Sequence, residues 1–291
     1  MLTDAHCHPF DLFSVFPEAE QERRNILSPC GEKGVISASS ACDAKEFAFN
    51  EKLSHKAADS GEAELLPCFA VHPQFFSVWN EELVMKNELN TLINEKLSLL
   101  EELAINKRIS AIGECGFDLY NEAFRETETQ QDMIFKEHME TAIRHDLPVV
   151  LHVRRAMHKI FANIKQLSKC KTAIFHSWSG TSDEAFSILR RGVNAYFSFG
   201  NIIMLNHKQA KRNCALLPAD RLLTETDAPY QPRRAERFSS CKDLPLILEA
   251  AASLRSEAGN SITASEFEKQ IEVNFRNAYL IEPPTHITNL S

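Results

Sequence analysis

The chain begins Met1-Leu2-Thr3-Asp4-Ala5-His6-Cys7-His8, and the rest of the sequence is organised around this stretch. Leu2 to His6 is predicted to be a short buried strand that ends in two histidines with one residue between them. Side chains two positions apart on a strand point to the same face, so His6 and His8 can direct two imidazoles into one small volume. Such a pair is typical of a metal site, but an exposed chain end can also carry it by chance. The rest of the chain has to decide between these interpretations.

The composition is that of an ordinary globular protein, with 291 residues of which 44% are hydrophobic and 25% charged. No Gly/Ser-rich joint, long run of like charges or internal repeat divides the chain, so we predict a single domain over residues 1–291. The formal net charge of −8 gives no bulk attraction to nucleic acid. A polyanionic substrate would therefore have to be met by a local basic patch or by metal ions.

The sequence also predicts a cytoplasmic location. It has no basic leader followed by a long apolar run, and no stretch long enough to span a membrane, so we expect neither a signal peptide nor a membrane helix. Eight cysteines in 291 residues are far too few for a disulfide scaffold, and Cys7, Cys68 and Cys115 fall in or beside predicted strands as small buried hydrophobes. Nothing in the sequence indicates an obligate protein partner.

Seven further strands are predicted along the chain, and helical segments of ten or more residues separate most of them. The predicted strands are Val35–Ser39, Leu65–Val71, Ile109–Glu114, Val149–His152, Thr172–His176, Asn194–Phe199 and Leu222–Asp227. The clearest predicted helices are Asp43–Asp59, capped by Asp43, then Asn80–Asn106, which includes Leu83, and Thr127–His145, which Asp146-Leu147-Pro148 ends.

Strands that alternate with helices pair in parallel, and eight such units predict a (β/α)8 TIM barrel with its active site at the C-terminal ends of the strands. A doubly wound open sheet is the competing architecture. The strand ends favour the barrel, because a closed barrel brings all of them to one mouth, whereas an open sheet spreads them along an edge. The polar residues predicted at or just past strand ends are His6, His8, Glu114, His152, His176 and Asp227.

These six side chains are four imidazoles and two carboxylates, a set that suits divalent zinc, manganese, iron or nickel, and also magnesium. Each has an ordinary structural explanation when taken alone. His152 can be a hydrogen-bonded core histidine, Asp227 can cap a turn before Ala-Pro, and Glu114 can pair with an arginine. Their common position at the ends of strands of one barrel favours a metal site.

The chain resembles the TatD family of metal-dependent hydrolases, within the wider amidohydrolase superfamily, from Asp4 to about Tyr230. The resemblance is carried by motifs that are weak singly and highly specific in this order. They are Asp4-Ala5-His6-Cys7-His8, Ala70-Val71-His72-Pro73, Ile112-Gly113-Glu114-Cys115-Gly116-Phe117-Asp118, Leu151-His152-Val153-Arg154, Phe175-His176-Ser177-Trp178-Ser179-Gly180 and Glu225-Thr226-Asp227-Ala228-Pro229-Tyr230.

The resemblance implies a hydrolase with two divalent metal ions, of which Mg, Mn and Zn are the expected identities. It implies that His6, His8 and Asp227 hold one ion, that His152 and His176 hold the other, and that Glu114 bridges them. Two cations about 3.5–4 Å apart need an anion between them, and together they activate a water and clamp a phosphoryl oxygen. Asp227 and Glu114 are thus the expected catalytic residues, with Asp227 accepting the proton of the attacking water.

The resemblance also implies a substrate with a phosphodiester bond, DNA above all, and places His72 and Arg154 near its phosphate. A guanidinium matches phosphate oxygens, but Arg154 could equally form a salt bridge to a neighbouring acid. His72 could merely pack on Pro73. Trp178 could stack on a base or, more simply, pack at the barrel rim.

The chain departs from the family pattern at two places near the substrate. Arg155 stands where the family usually has an acid, and the run from Tyr230 to Cys241 replaces the usual Arg-Gly…Asn-Glu-Pro run. The expected function is a TatD-type deoxyribonuclease that cleaves nucleic-acid ends. The alternatives are a metal-dependent ester or amide hydrolase, such as an aminoacyl-tRNA deacylase, and a non-catalytic metal-binding barrel.

Overall fold

Eight parallel strands form one sheet in the order in which they occur along the chain. The computed structural model describes residues 1–16, 19, 34–60, 63–80, 86–260 and 262–281. The strands are β1 (Leu2–Cys7), β2 (Val35–Ala41), β3 (Ala63–Phe69), β4 (Ala111–Asp118), β5 (Val149–Arg154), β6 (Ala173–Phe175), β7 (Ala195–Phe199) and β8 (Leu222–Thr224).

Helices fill most of the connections between the strands, as the alternating pattern predicts. The described α-helices are Pro9–Val15, Ala44–Ser60, Phe75–Asn80, Lys86–Ile105, Glu122–Glu126, Glu128–His145, Met157–Ala162, Ile164–Leu167, Ser182–Arg190, Lys208–Leu216, Leu244–Glu257 and Ala264–Ala278. Within the described part of the chain, none of these helices has both the length and the apolar character needed to cross a membrane. The extension of one domain over all of residues 1–291 stays a prediction.

The sheet curls into a nearly closed barrel because the first and last strands meet. The hydroxyl of Thr224 in β8 donates to the carbonyl of Thr3 in β1 at 2.8 Å. Beyond β8, the Asp227 amide donates to the His6 carbonyl at 2.9 Å. The buried Asp4 carboxylate accepts hydrogen bonds from both the amide and the hydroxyl of Thr226. The predicted (β/α)8 barrel is confirmed, and the open sheet is not adopted.

Aromatic side chains pack around the later strands. The rings of Phe175 in β6 and Phe197 in β7 are stacked with centroids 5.5 Å apart. Trp178 meets both rings nearly edge-on and is only 2% exposed, so it packs in the barrel wall and has no open face for a base. Burying such large rings is worth about 1.5–3 kcal/mol each, which makes this cluster a substantial part of the core.

Several strands extend farther than the sequence predicted, and at β4 and β5 the extension changes where predicted site residues lie. β4 was predicted to end at Glu114 and β5 at His152, but pairing continues to Asp118 and Arg154. Glu114 and His152 therefore lie inside their strands. The extension is possible because Gly116, opposite His152, lets the two backbones approach closely. The opposite error occurs at β8, which ends at Thr224, so Asp227 belongs to the loop that follows.

The helix ends follow the predicted signals. The Asp43 carboxylate accepts from the amides of Lys45 and Glu46 and so caps the helix Ala44–Ser60. Asp146 adopts a left-handed conformation with φ 56° and ends the helix Glu128–His145, as predicted. The predicted helix Asn80–Asn106 is described from Lys86 to Ile105, and its Leu83 lies outside the described residues.

Gly116 gives a test of the close β4–β5 contact. Its φ is +132°, and a Cβ there would lie 2.2 Å from the His152 carbonyl oxygen. We expect Gly116→Ala to lower the free energy of unfolding by about 2–5 kcal/mol, because backbone strain and a clash with backbone add together. Urea denaturation measures the change. Gly259→Ala is the control, since Gly259 also has positive φ but open space around it. Equal losses in the two variants would show that the close contact is unimportant.

His138 gives a test of the packing between β3 and the helix Glu128–His145. Its buried Nε2 accepts from the Val71 amide at 3.1 Å, and burial lowers its pKa to about 3. The His138 imidazole therefore binds a proton near pH 6.5 in the unfolded chain but not in the folded chain. The free energy of unfolding accordingly falls as the pH falls, by up to about 1.4 kcal/mol per pH unit.

Urea denaturation of His138→Gln at pH 7 and pH 5 measures this contribution. Relative to that of wild type, the free energy of unfolding of the variant should rise by about 2 kcal/mol on going from pH 7 to pH 5. The reason is that the variant lacks the imidazole that only the unfolded chain protonates. His55→Gln, at an exposed imidazole, is the control and should keep the wild-type dependence. A His138→Gln variant with the same dependence as wild type would contradict the buried neutral imidazole.

Candidate metal centre

The Glu114 carboxylate lies at the centre of a histidine cluster in the barrel mouth and is 5% exposed. Its Oε2 is 3.2 Å from Nε2 of His6 and 3.5 Å from Nε2 of His8. Its Oε1 is 2.5 Å from Nδ1 of His152 and 3.1 Å from Nε2 of His176. Oε2 thus faces the imidazoles of His6 and His8, and Oε1 faces those of His152 and His176.

Asp227 completes the cluster on the β1 side. Its Oδ1 is 3.7 Å from Nε2 of His6 and 3.6 Å from Nε2 of His8. Its Oδ2 accepts from the Gln231 side chain at 2.7 Å, and Gln231 also donates to the hydroxyl of Ser177. Asp227, Gln231 and Ser177 all have φ near +50°, an uncommon conformation for residues other than glycine. Such outliers in neighbouring loops are typical of functional sites.

His72 lies directly beside the cluster. The family resemblance implies a place near the substrate phosphate, and in the structure its Nε2 is 3.4 Å from Oε2 of Glu114 and its ring centroid is 5.0 Å from that of His152. It therefore belongs by geometry among the possible ligands. Its position after β3, in the His-Pro motif, was the available signal, but sequence could not give the direction of the side chain.

The donor atoms fit divalent metal ions. Among the described residues, three groups bring their nitrogen and oxygen atoms within 4.8 Å of one another. They are His6 with Glu114 and His176, His6 with His8 and Asp227, and His72 with Glu114 and His152. Imidazole nitrogen with carboxylate oxygen is a usual ligand set for zinc, manganese and iron. The six predicted ligands are all brought together at one mouth.

The electrostatics of the cluster also suit cations. Burial alone would raise the pKa of Glu114, but the imidazoles of His72, His176 and His152 outweigh it and hold that pKa well below its usual value. The pKa of Asp227 is likewise lowered, against burial, by His176 and His8. Both carboxylates are therefore charged at neutral pH and require positive charge nearby, which protonated imidazoles or metal ions can supply.

Two buried carboxylates contact the ring nitrogens of His152 and His176 that face away from Glu114. The sequence alone assigned neither carboxylate a role. Asp118 is fully buried, and its Oδ2 is 3.0 Å from Nε2 of His152. Glu225, also fully buried, has Oε2 3.4 Å from Nδ1 of His176 and accepts from the Ser198 hydroxyl. Carboxylates behind ligand histidines fix ring orientation and basicity. Both residues lie within the motif stretches, but only the fold shows that they are buried.

Arg154 lies at the edge of the cluster with 43% of its side chain exposed. Its guanidinium is 3.4 Å from Oδ2 of Asp118, so the salt bridge considered in the sequence analysis is present. Gln74 donates to the same carboxylate oxygen at 2.7 Å. Because Asp118 also contacts His152, this pairing holds Arg154 beside the possible ligands.

The atypical loop after Pro229 covers another side of the mouth. The Tyr230 hydroxyl donates to Asp11 at 2.9 Å, and its ring lies 5.4 Å from that of His8. Arg233, a basic residue of this loop, has its Nε 2.6 Å from Asp243 and also contacts Glu236. Its charge is thus used inside the loop.

Comparisons with known proteins agree on one family. The family model described as TatD related DNase matches residues 3–280. A "3'-5' ssDNA/RNA exonuclease TatD" of Erwinia tasmaniensis is 31% identical over 215 residues, which cover 72% of this chain and 80% of that protein. A protein of the same name from Pantoea ananatis is 27% identical over 270 residues, covering 89% and 93% of the two chains.

Solved structures agree with the fold. The crystal structure of a TatD homolog from Escherichia coli superposes with a TM-score of 0.73 at 24% identity, covering 97% of this chain and 98% of that chain. An uncharacterized amidohydrolase from Saccharomyces cerevisiae gives a TM-score of 0.74 at 14% identity, covering 94% and 98%. Both support the TIM barrel.

The predicted family, fold class and hydrolase activity are confirmed, and the TatD-type metal-dependent hydrolase fits these relatives. Neither the ester or amide hydrolase nor the non-catalytic barrel is favoured by them. Because the family model spans nearly the whole chain and close relatives carry the same name, the chain belongs to the TatD related DNase family.

Proposed function

We propose that this protein is a two-metal exonuclease that removes nucleotides from the 3′ end of single-stranded nucleic acid. The observation that carries the two-metal part is Glu114, whose two oxygens face separate pairs of imidazoles. The polarity and the single-stranded substrate are supported by the relatives named 3'-5' ssDNA/RNA exonuclease.

The proposed ligands divide into two groups around Glu114. His6, His8 and Asp227, whose ligand atoms lie close together, would hold one ion. His152 and His176, which both face Oε1 of Glu114, would hold the other. His72, whose Nε2 is 3.4 Å from Oε2 of Glu114, would add a further nitrogen. The many imidazoles favour Zn or Mn over Mg, which prefers oxygen ligands.

Two ions bound here would supply Lewis-acid stabilisation of the phosphoryl oxygens and a water of lowered pKa. The protein's own share of the chemistry falls first to Asp227. Its lowered pKa keeps the carboxylate ionised at neutral pH, so it can accept the proton of the attacking water. Gln231 donates to Oδ2 of Asp227 and so leaves Oδ1 directed at His6 and His8.

Arg154 would bind a phosphate oxygen of the substrate beside the metal ligands. Its partly exposed guanidinium retains donors that the Asp118 contact does not use, and such donors match phosphate geometry. A local contact of this kind is required because the chain has a net charge of −8 and cannot attract a polyanion over long range.

We also propose that the enzyme works in the cytoplasm. Cys7, Cys68 and Cys115 lie in β1, β3 and β4 as buried free thiols, as the sequence predicted. Free thiols of this kind are usual in a reducing compartment.

The polarity and the role of Asp227 can be tested on 5′-labelled single-stranded DNA. Metal-loaded wild type should shorten the strand stepwise from a free 3′ end, stop at a blocked 3′ end, and lose activity in EDTA. Asp227→Asn should lower kcat by about 10²–10⁴-fold, the usual contribution of a general base.

Asp220→Asn is the matched control, because Asp220 is an exposed acid at the opposite end of β8 and should keep wild-type turnover. Digestion that begins at the 5′ end would contradict the polarity. Full activity of Asp227→Asn, with unchanged metal content, would contradict the proposed proton acceptor.

A further inference from the structure

Tyr120 and two arginines form an exposed cluster just past the end of β4, at the same mouth as the metal ligands. The Tyr120 side chain is 46% exposed. The guanidinium carbon of Arg154 lies 4.2 Å from its ring centroid, and that of Arg155 lies 4.5 Å from it. An aromatic ring in this position orders guanidinium groups by cation–π attraction, which lowers the entropy cost of using them in binding.

Arg155 differs from Arg154 and Arg233 because it has no acidic partner in the described part of the chain. Its recorded contacts are with the ring and the main-chain carbonyl of Tyr120, at 3.3 Å for the latter. Arg154 is paired with Asp118, and Arg233 with Asp243. The positive charge of Arg155 and most of its five donors therefore stay available to a ligand.

The backbone also holds Arg155 in an unusual conformation. Its φ is +53°, a left-handed value that costs a non-glycine residue about 1 kcal/mol or more. Among neighbouring loops, Ser177 and Asp227 share this feature, and Asp227 belongs to the possible metal ligands. The strained backbone at Arg155 thus occurs in the same part of the molecule as the chemistry.

A continuous series of contacts joins Arg155 to the metal ligands. His152 contacts Asp118, and Asp118 contacts Arg154. Arg154 and Arg155 both lie over Tyr120. In this series Arg155 follows Arg154 by way of the Tyr120 ring and so lies farther from the ligands. A strand whose reacting phosphate lies beside Arg154 would present its next phosphate towards Arg155.

We infer that Tyr120 and Arg155 form a second phosphate subsite, which binds the phosphodiester next to the one being cleaved. The inference rests on the proposed function, because it takes the strand to enter at the metal ligands. A guanidinium with unused donors recognises phosphate oxygens by charge-assisted hydrogen bonds, and the Tyr120 ring holds that guanidinium in place. The subsite makes the enzyme prefer strands of at least two linkages over a single phosphodiester.

The test is a double-mutant cycle between Arg155 and one phosphate of the substrate. Metal-loaded wild type and Arg155→Gln are compared on a single-stranded octanucleotide and on the same strand with a neutral methylphosphonate at the linkage next to the cleaved one. In wild type the methylphosphonate should lower kcat/KM about 10- to 100-fold, as expected for loss of one charge-assisted hydrogen bond. In Arg155→Gln it should change kcat/KM less than about threefold.

Two further variants separate charge from structure. Arg155→Lys should regain part of the sensitivity to the methylphosphonate, because it restores the charge without the planar fork. Arg191→Gln is the matched control, since Arg191 also lies over an aromatic ring, that of Phe161, but just past the end of the helix Ser182–Arg190. Helix C-termini in a TIM barrel lie away from the mouth, so this variant should respond like wild type.

The outcomes distinguish this inference from the proposed function. Suppose that wild type cleaves the octanucleotide. The subsite is then wrong, and the proposed nuclease function is kept, if Arg155→Gln shows the same loss of kcat/KM with the methylphosphonate as wild type. The same conclusion follows if the methylphosphonate does not lower kcat/KM of wild type. If wild type cleaves no oligonucleotide with any metal, the proposed function is wrong, and the subsite, which rests on it, is wrong as well. The subsite is supported if the methylphosphonate lowers kcat/KM of wild type and of Arg191→Gln but has little effect on Arg155→Gln.

Discussion

The structure depends on one electrostatic constraint, which is the buried negative charge of Glu114. A carboxylate that is 5% exposed costs several kcal/mol unless cations or strong donors surround it. Here five imidazoles from β1, β3, β5, β6 and the residues just past them converge on it. Its Oε2 faces His6, His8 and His72, and its Oε1 faces His152 and His176. This division is what two metal ions with a shared anionic ligand require.

The barrel is the device that brings these groups together. Its first and last strands meet through Thr224 and Thr3, which sets β1 beside the loop that carries Asp227. The register shifts between Asp4 and Cys7 in β1 and between Ile112 and Cys115 in β4 lie where His6 and Glu114 are found. Such irregularities turn side chains towards a site that regular pleating would not serve. Further out, the contacts of Arg154 and Arg155 extend the same mouth towards a substrate strand.

Much of the fold and the possible ligand set could be predicted because both follow from local rules. Alternation of strands and helices predicts the parallel barrel, and the spacing of two between His6 and His8 predicts a common face. Other features depend on register and burial, which sequence does not display. Glu114 lies inside β4 because Gly116 permits longer pairing, the direction of His72 depends on the loop after β3, and the buried Asp118 reads in sequence like any loop acid. The pairing of Arg233 with Asp243 is likewise not visible in the sequence.

The central claim is that Glu114 joins two ion sites, and electron paramagnetic resonance of the manganese-loaded protein tests it most directly. Wild type should bind about two Mn²⁺ per chain and show the spectrum of a spin-coupled pair, because a shared carboxylate places the ions about 3.5–4 Å apart. Glu114→Gln should lose the coupled spectrum while circular dichroism stays that of the folded barrel. A Glu114→Gln variant that keeps two coupled ions, or a wild type that saturates with one isolated ion, would contradict the account.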